Sequence, residues 1–207
     1  MRRKVFESSS EADLEEVFAK ALIGELGLVD PDGYARIVPV NFVYAQRAIY
    51  FHGALAGEKH ELMRSNPKAT FLAYVPYSPL PSTVMGKDGS ACPASILYRS
   101  AFVRGRGSIV ESTDEKALGL QKMMEKNQPE GGYLDFPSNL DFYKDELKAV
   151  AVFKVTVESF AVKNKLVQNR GPEQKADILA FLEKRATPLD LEVAERIRQE
   201  LAKGSST

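Results

Sequence analysis

The amino-acid sequence predicts a mainly β, α+β fold: a small curled antiparallel barrel of five or six strands, with peripheral helices and a helical pair at its C-terminal end. Three observations carry this. Runs rich in Val, Ile, Tyr and Phe recur between turn signals, but the helical patterns among them do not alternate regularly, as a doubly wound sheet requires. A long strand pattern from Ser95 to Glu111 contains Gly105 and Gly107, and glycines inside a strand mark a bulge or a barrel corner. The chain then changes character at Gly171-Pro172, after which two amphipathic helical patterns close it.

The elements follow in order. Ser10 begins a capping box with Asp13, and Leu14, Val17, Phe18, Ala21 and Leu22 recur at helical spacing until Gly24 and Gly27 stop the pattern. Leu26 to Asp30 and Tyr34 to Tyr44 read as a hairpin about Pro31-Asp32-Gly33. Ala45-Gln46-Arg47 turns the chain into a strand over Ala48 to Gly53, and a short helix over Gly57 to Ser65 ends at Asn66-Pro67. Thr70 to Val75 is the next strand. Pro76 to Pro93, with four prolines, Gly86 and Gly89, reads as a long loop, a feature that is commonly functional. After the glycine-broken strand come a helix from Ser112/Thr113 through Leu118, Met123 and Met124, an irregular stretch from Gln128 to Asn139, a short helix over Asp141 to Leu147, and a last strand over Ala149 to Val162. The closing helices span Glu173 to Lys184 and Pro188 to Ala202. The second is capped by Thr187 with Asp190 and striped by Leu189, Val193, Ile197 and Leu201, and Gly204 to Thr207 is expected to fray.

Composition excludes several classes of function. The 207 residues carry 28 Lys and Arg against 28 Asp and Glu, so no basic excess supports a nucleic-acid binder. No segment approaches the ~18 uninterrupted apolar residues of a membrane span. One cysteine makes no internal disulfide, and the Met-Arg-Arg-Lys start lacks a secretory pattern, so a soluble cytoplasmic protein is expected. With two histidines and one cysteine the usual zinc ligand set cannot be assembled, so no metal site is expected. Phosphate-loop, dinucleotide-fold, zinc-protease and nucleophile-elbow motifs are absent. A cofactor that brings its own reactivity fits such a chain, the protein supplying backbone donors, a phosphate clamp and a dry slot.

Three segments supply candidates. In Arg36-Ile37-Val38-Pro39-Val40-Asn41-Phe42 a proline inside a strand removes one ladder donor, which fits a plain edge strand or an edge left open for a ligand. Tyr50-Phe51-His52-Gly53 runs through Ala54 to Gly57 into Glu58-Lys59, where free amides at a helix start beside Lys59 form a phosphate seat, unless Lys59 is a solvated surface charge. Tyr98-Arg99-Ser100 lies in the long strand, where Arg99 and Ser100 point to opposite faces.

Taken in order, Val-Pro-Val-Asn-Phe, Tyr-Phe-His-Gly-Ala with Gly-Glu-Lys, Asn-Pro-Lys-Ala-Thr-Phe, and Tyr-Arg-Ser before Gly105-Arg106-Gly107 resemble the pyridoxamine 5'-phosphate oxidase-related FMN-binding split-barrel superfamily, and within it the nitroimidazole-resistance type. Lys165 to Arg170 resembles a string of FMN-binding transcriptional regulators of the same superfamily, with Val167 in place of Ser. The likeness covers roughly Leu14 to Arg170. It divides the chain into an FMN-binding split-barrel domain over residues 1–170 and a C-terminal helical extension over 171–207, which would extend a dimer interface or recruit a partner.

The resemblance implies a homodimer of six-stranded split barrels with FMN in the cleft between subunits. On this chain Arg36 meets the phosphate, while Ile37, Val38, Pro39, Val40 and Asn41 present backbone to the flavin edge. Asn41 stands where the oxidases have Lys. Phe51 and His52 replace a Tyr-Thr pair, and Glu58-Lys59 replaces Arg-Lys, which leaves one phosphate cation of two. Ser100 takes the place of a flavin-contacting Gln, with Arg99 before it. The oxidases' C-terminal substrate-gripping region, with its Trp, has no counterpart, so pyridoxamine phosphate oxidase activity is not expected. The implied function is an FMN-dependent oxidoreductase passing hydride from NADH or NADPH to a small acceptor, with His52 as the acid beside the flavin or as a structural hydrogen-bonding residue. The alternative is a non-enzymatic flavin- or haem-binding sensor, Cys92 offering a thiolate for haem.

Overall fold

The structure is a computed structural model that describes residues 4–86 and 88–204. Its elements are β1 (Glu7–Ser8), α1 (Glu11–Lys20), β2 (Ile23–Val29), β3 (Ala35–Asn41), β4 (Val43–Ala45), β5 (Ala48–Gly53), α2 (Glu58–Ser65), β6 (Lys68–Leu80), α3 (Ser82–Met85), β7 (Ser95–Ile109), α4 (Thr113–Asn127), α5 (Lys144–Ala149), β8 (Ala151–Lys165), α6 (Pro172–Arg185) and α7 (Pro188–Gly204). The strands form one sheet in the order β3-β2-β6-β7-β8-β5-β4, with β1 paired to β8. Every pairing whose register is defined is antiparallel. No helix among the described residues is long and apolar enough to cross a membrane. The chain forms two compact units, Ser9–Tyr74 with Ala101–Ala161, and the described residues up to Ser8 with Val75–Ser100 and those from Val162 onward.

In the first unit α1 starts as predicted, the Ser10 hydroxyl accepting from the Asp13 amide. Leu14, Val17 and Phe18 turn inward, where the Phe18, Phe42 and Phe71 rings meet edge to face at centroid distances of 4.8–5.9 Å. Gly24 and Gly27 lie inside β2 rather than ending a helix. The Phe71 ring is laid so close over Gly24 that a Cβ there would sit 2.2 Å from it. The hairpin arm expected as one strand is two, β3 and β4, because Phe42 leaves the ladder to enter the core. That break, with two-residue β1, brings the strand count among described residues to eight instead of six. β7 runs unbroken through its glycines. At Gly105 the backbone of β8 comes so near that a Cβ would lie 2.1 Å from the Thr156 carbonyl oxygen. The sheet curls until β3 approaches β5 without pairing to it, which leaves an opening between the two strands.

The second unit corrects the expected Pro76 to Pro93 loop. β6 continues through Pro76 and Pro79 to Leu80, since Tyr77, Ser78 and Leu80 are buried there, and α3 follows. Lys87, within that stretch, lies outside the described residues, as do 205–207 of the expected frayed end. Tyr77, Leu80, Met85 and Leu97 pack with Ile178, Leu182, Val193 and Ile197 of α6 and α7. Of the predicted stripe of α7, Val193, Ile197 and Leu201 face the core, but Leu189 is exposed and Asp190 beside it is fully buried. Asp190 accepts hydrogen bonds from Arg185 at 2.6 and 2.7 Å, from the Ser78 hydroxyl and from the Thr187 amide, and its own amide donates to the Thr187 hydroxyl. The Arg185 guanidinium holds its carboxyl well below the usual carboxylate range. Back in the first unit, the short helix expected at Asp141 to Leu147 begins later, at Lys144.

Candidate functional site

Four of the predicted residues converge where the opening between β3 and β5 meets the start of α2. Phe51 stands opposite Phe153 across the β5–β8 ladder, and the two rings stack at 5.3 Å and 10°. One residue on, His52 projects to the exposed side of the strand, as alternation requires. The chain then crosses exposed Ala54–Gly57, and Gly57 takes φ 118°, a backbone conformation open to glycine and strained for other residues. This sharp entry starts α2. Gly57 brings no side chain to cap it, so the amides of Glu58, Lys59 and His60 have no intrahelical acceptor.

The Lys59 side chain folds back over the end of β5. Its Nζ lies 5.1 Å from the Phe153 ring centroid and 5.4 Å from that of Phe51. A Cβ on Gly53 would be 3.0 Å from the same atom, so the bare strand end makes room for the ammonium. Burial lowers the Lys59 pKa, and the group forms no ion pair with any described residue. Desolvation first and the Lys59 charge second lower the pKa of His52, so this imidazole is mostly neutral at pH 7. His60 is half-buried, its ring edge-on to Phe153 at 6.2 Å.

Arg36 reaches the same corner from β3, donating from a terminal guanidinium nitrogen to Glu58 Oε2 at 2.6 Å. The arginine assigned to the phosphate is thus already paired, with the residue that replaces one of the expected cations. Lys59 is the uncommitted charge. Ile37 to Asn41 continue along β3, which among the described residues pairs with β2 alone and is a sheet edge, as Pro39 requires. Arg99 and Ser100 belong to the other unit; Arg99 is buried and donates to Asn164 Oδ1 at 2.6 Å. Cys92 is exposed.

Sequence reading missed the Arg36–Glu58 pair, because the two residues are 22 apart and no local pattern joins them. It also passed over Lys68, Arg104 and Arg106, which line a groove on the sheet with Ile37. The Arg-Gly-Arg alternation on a strand was the available signal, since it sends both arginines to one face.

An antiparallel sheet that curls without closing, with a charged and incompletely satisfied corner at the opening, defines the split-barrel class. The chain belongs to the pyridoxamine 5'-phosphate oxidase family, whose model it matches over residues 10–164. No curated protein matches it. Among solved structures it resembles a protein from Bacteroides thetaiotaomicron VPI-5482 assigned to 5-nitroimidazole antibiotic resistance, at 22% identity and a TM-score of 0.60 over 76% of this chain and 85% of that one. It also resembles a flavocytochrome from Azotobacter vinelandii, at 14% identity and 0.62 over 83% and 75% of the two chains. A third likeness is to an FAD and haem binding protein from Mycobacterium smegmatis, at 16% identity and 0.62 over 84% and 79%. These three likenesses show the fold.

Proposed function

We propose that the chain is an FMN-dependent oxidoreductase of the cytoplasm, working as a homodimer and passing hydride from NADH or NADPH to a small acceptor. The carrying observation is Lys59: a half-buried ammonium without an anionic partner among the described residues, beside three amides at the start of α2 that have no intrahelical acceptor. Desolvating a cation and leaving it unpaired is costly unless a ligand supplies the charge. A phosphate fits this seat, because helix-start amides and a lysine together recognise one. A flavin is what the neighbouring flavocytochrome and the FAD and haem binding protein support; FMN, with its single terminal phosphate, is the flavin that fits the seat we propose, and when bound it supplies hydride acceptance and donation at its N5 atom.

The chain's own residues do the rest. Lys59 and the Glu58–His60 amides hold the phosphate, and Arg36 joins them to the extent that Glu58 releases it. The open edge of β3 from Val38 to Asn41 orients the ring system and offers backbone donors to negative charge, a preorganised electrostatic role. The stacked Phe51 and Phe153 keep water from the inner side of Lys59. Neutral His52 accepts or donates a hydrogen bond at the exposed rim. For the dimer, the support is the solvent-exposed Leu22, Ile23, Leu72, Tyr74 and Phe102, together with Glu25, whose Oε2 is buried and receives no hydrogen bond from described residues.

The test is an absorption spectrum of the purified protein, before and after adding FMN and then NADH or NADPH, with the mass measured by ultracentrifugation. Stoichiometric flavin bands bleached by the nicotinamide donor support the reductase. Flavin that stays oxidised points to the non-enzymatic sensor, a Soret band to haem, and a monomer with bound flavin overturns the interface cleft.

A further inference from the structure

The groove that opens at Ile37 is cationic in a protein of zero net charge. A cavity of about 350 Å³ lies over the sheet, with Val29, Ala35 and Ile37 on its apolar side. Lys68, Arg104 and Arg106 supply its charge against a single acid, Glu158. Two strands bring the cations together: Lys68 begins β6, while Arg104 and Arg106 alternate on the outward face of β7. None of the three pairs with a described carboxylate, whereas 28 basic residues are balanced by 28 acids over the whole chain. The volume is that of a small-molecule site, and one face is apolar while the other is positive.

We infer that this groove receives an anionic, amphipathic small molecule, its carboxylate or phosphate at Lys68, Arg104 and Arg106 and its apolar body against Ile37 and Val29. Two arginine forks on one strand face suit the planar, bidentate geometry of a carboxylate, which a lone ammonium does not select. The position gives the ligand a role. Ile37 adjoins Arg36 and starts the β3 edge assigned to the flavin, so the occupant is the acceptor, or a body attached to it. This role rests on the flavin reading; the binding of an anion in the groove does not.

The experiment uses two probes of one shape, para-nitrobenzoate and its neutral amide, with binding measured by calorimetry on the full chain, both as purified and with added FMN. The expected result is that the benzoate binds at least tenfold tighter than the amide and weakens as salt is raised. The Arg104→Gln/Arg106→Gln variant should lose that preference while FMN affinity and the thermal midpoint stay unchanged. A Lys68→Gln variant gives an independent, smaller loss if the double variant does not fold. Equal binding of the two probes, or a preference that survives the double variant, overturns the proposal. So does a double variant that changes the dimer mass and leaves benzoate affinity as it was, for the cations then serve a subunit contact. If FMN fails to bind but the benzoate preference holds and needs the arginines, the flavin reading falls and the anion groove stands.

Discussion

Two lysines, both drawn partly out of water and both laid against aromatic rings, separate a structural corner of this protein from the corner proposed as its site. At the junction of α1 with α4, Lys126 donates to the carbonyls of Phe18, Ala21 and Phe42 at 2.7–2.9 Å and lies 3.8 Å from the Phe42 ring centroid. Its ammonium thereby serves the C-terminal end of α1 and the carbonyl released where β3 breaks from β4. At the corner between β5 and α2, Lys59 has rings on one side and, among the described residues, no acceptor on the other. Burial alone does not mark a site; a buried charge whose hydrogen-bonding capacity is unused does.

Removing Lys126 is the largest expected effect. Lys126→Met leaves three carbonyls without their shared donor, and loss of charged hydrogen bonds of this kind costs on the order of 3 kcal/mol. Urea unfolding should show it as a lower midpoint with an unchanged slope, while flavin affinity stays as in the wild type. The same variant reports on pH. Burial pushes the Lys126 ammonium down to about 8, below its value of ~10.4 in the unfolded chain. Between these values the unfolded chain holds more protons than the native one, so native stability rises with pH across that window. The difference between wild type and Lys126→Met should therefore widen from pH 8 upward; a constant difference would show that the ammonium is as well solvated in the fold as outside it.

Lys59→Met should behave in the opposite way. Stability is expected to hold within about 1 kcal/mol or to rise, since an unpaired, desolvated charge is removed and its stem is kept. FMN affinity should fall more than tenfold, the loss of a charged hydrogen bond worth ~1.5–3 kcal/mol. Fluorescence titration of FMN together with a melting curve separates the two readouts. A large loss of stability with unchanged affinity would make Lys59 a second Lys126, and the contrast between the corners would disappear.

How far the contrast was legible in the sequence depends on the range of each interaction. The Ser10 cap, the bounds of β5 and the Thr187–Asp190 capping box are local, and each is found where the chain pattern places it. The second role of Asp190 is not local: it is buried by Ser78 and Arg185, so Leu189, apolar and correctly spaced, is left facing solvent. β6 shows the same override, two prolines failing to end a strand whose neighbours Tyr77 and Leu80 are needed in the core. At the site, Gly57-Glu58-Lys59 could be read as a helix start with a nearby cation. That Arg36 would be engaged by Glu58, and Lys59 by rings but by no acceptor among the described residues, depends on contacts between β3, β5 and α2 that no spacing rule encodes.

The Arg36–Glu58 pair yields the smallest and most discriminating effect. Both side chains are about half exposed, and an exposed ion pair is worth only ~0.2–1 kcal/mol, so breaking it should scarcely alter the melting temperature. Its consequence lies in competition. While Glu58 accepts from Arg36, a phosphate at the α2 start meets a carboxylate beside it and an arginine turned away from it. Glu58→Gln removes the negative charge and frees the guanidinium, so FMN affinity should rise a few-fold and become more sensitive to salt, because a second cation then takes part. Arg36→Gln in the same background should return affinity to the wild-type level or below. If Glu58→Gln weakens FMN instead, then the ion pair holds α2 in its binding position, and the satisfied side of the comparison extends into the site itself.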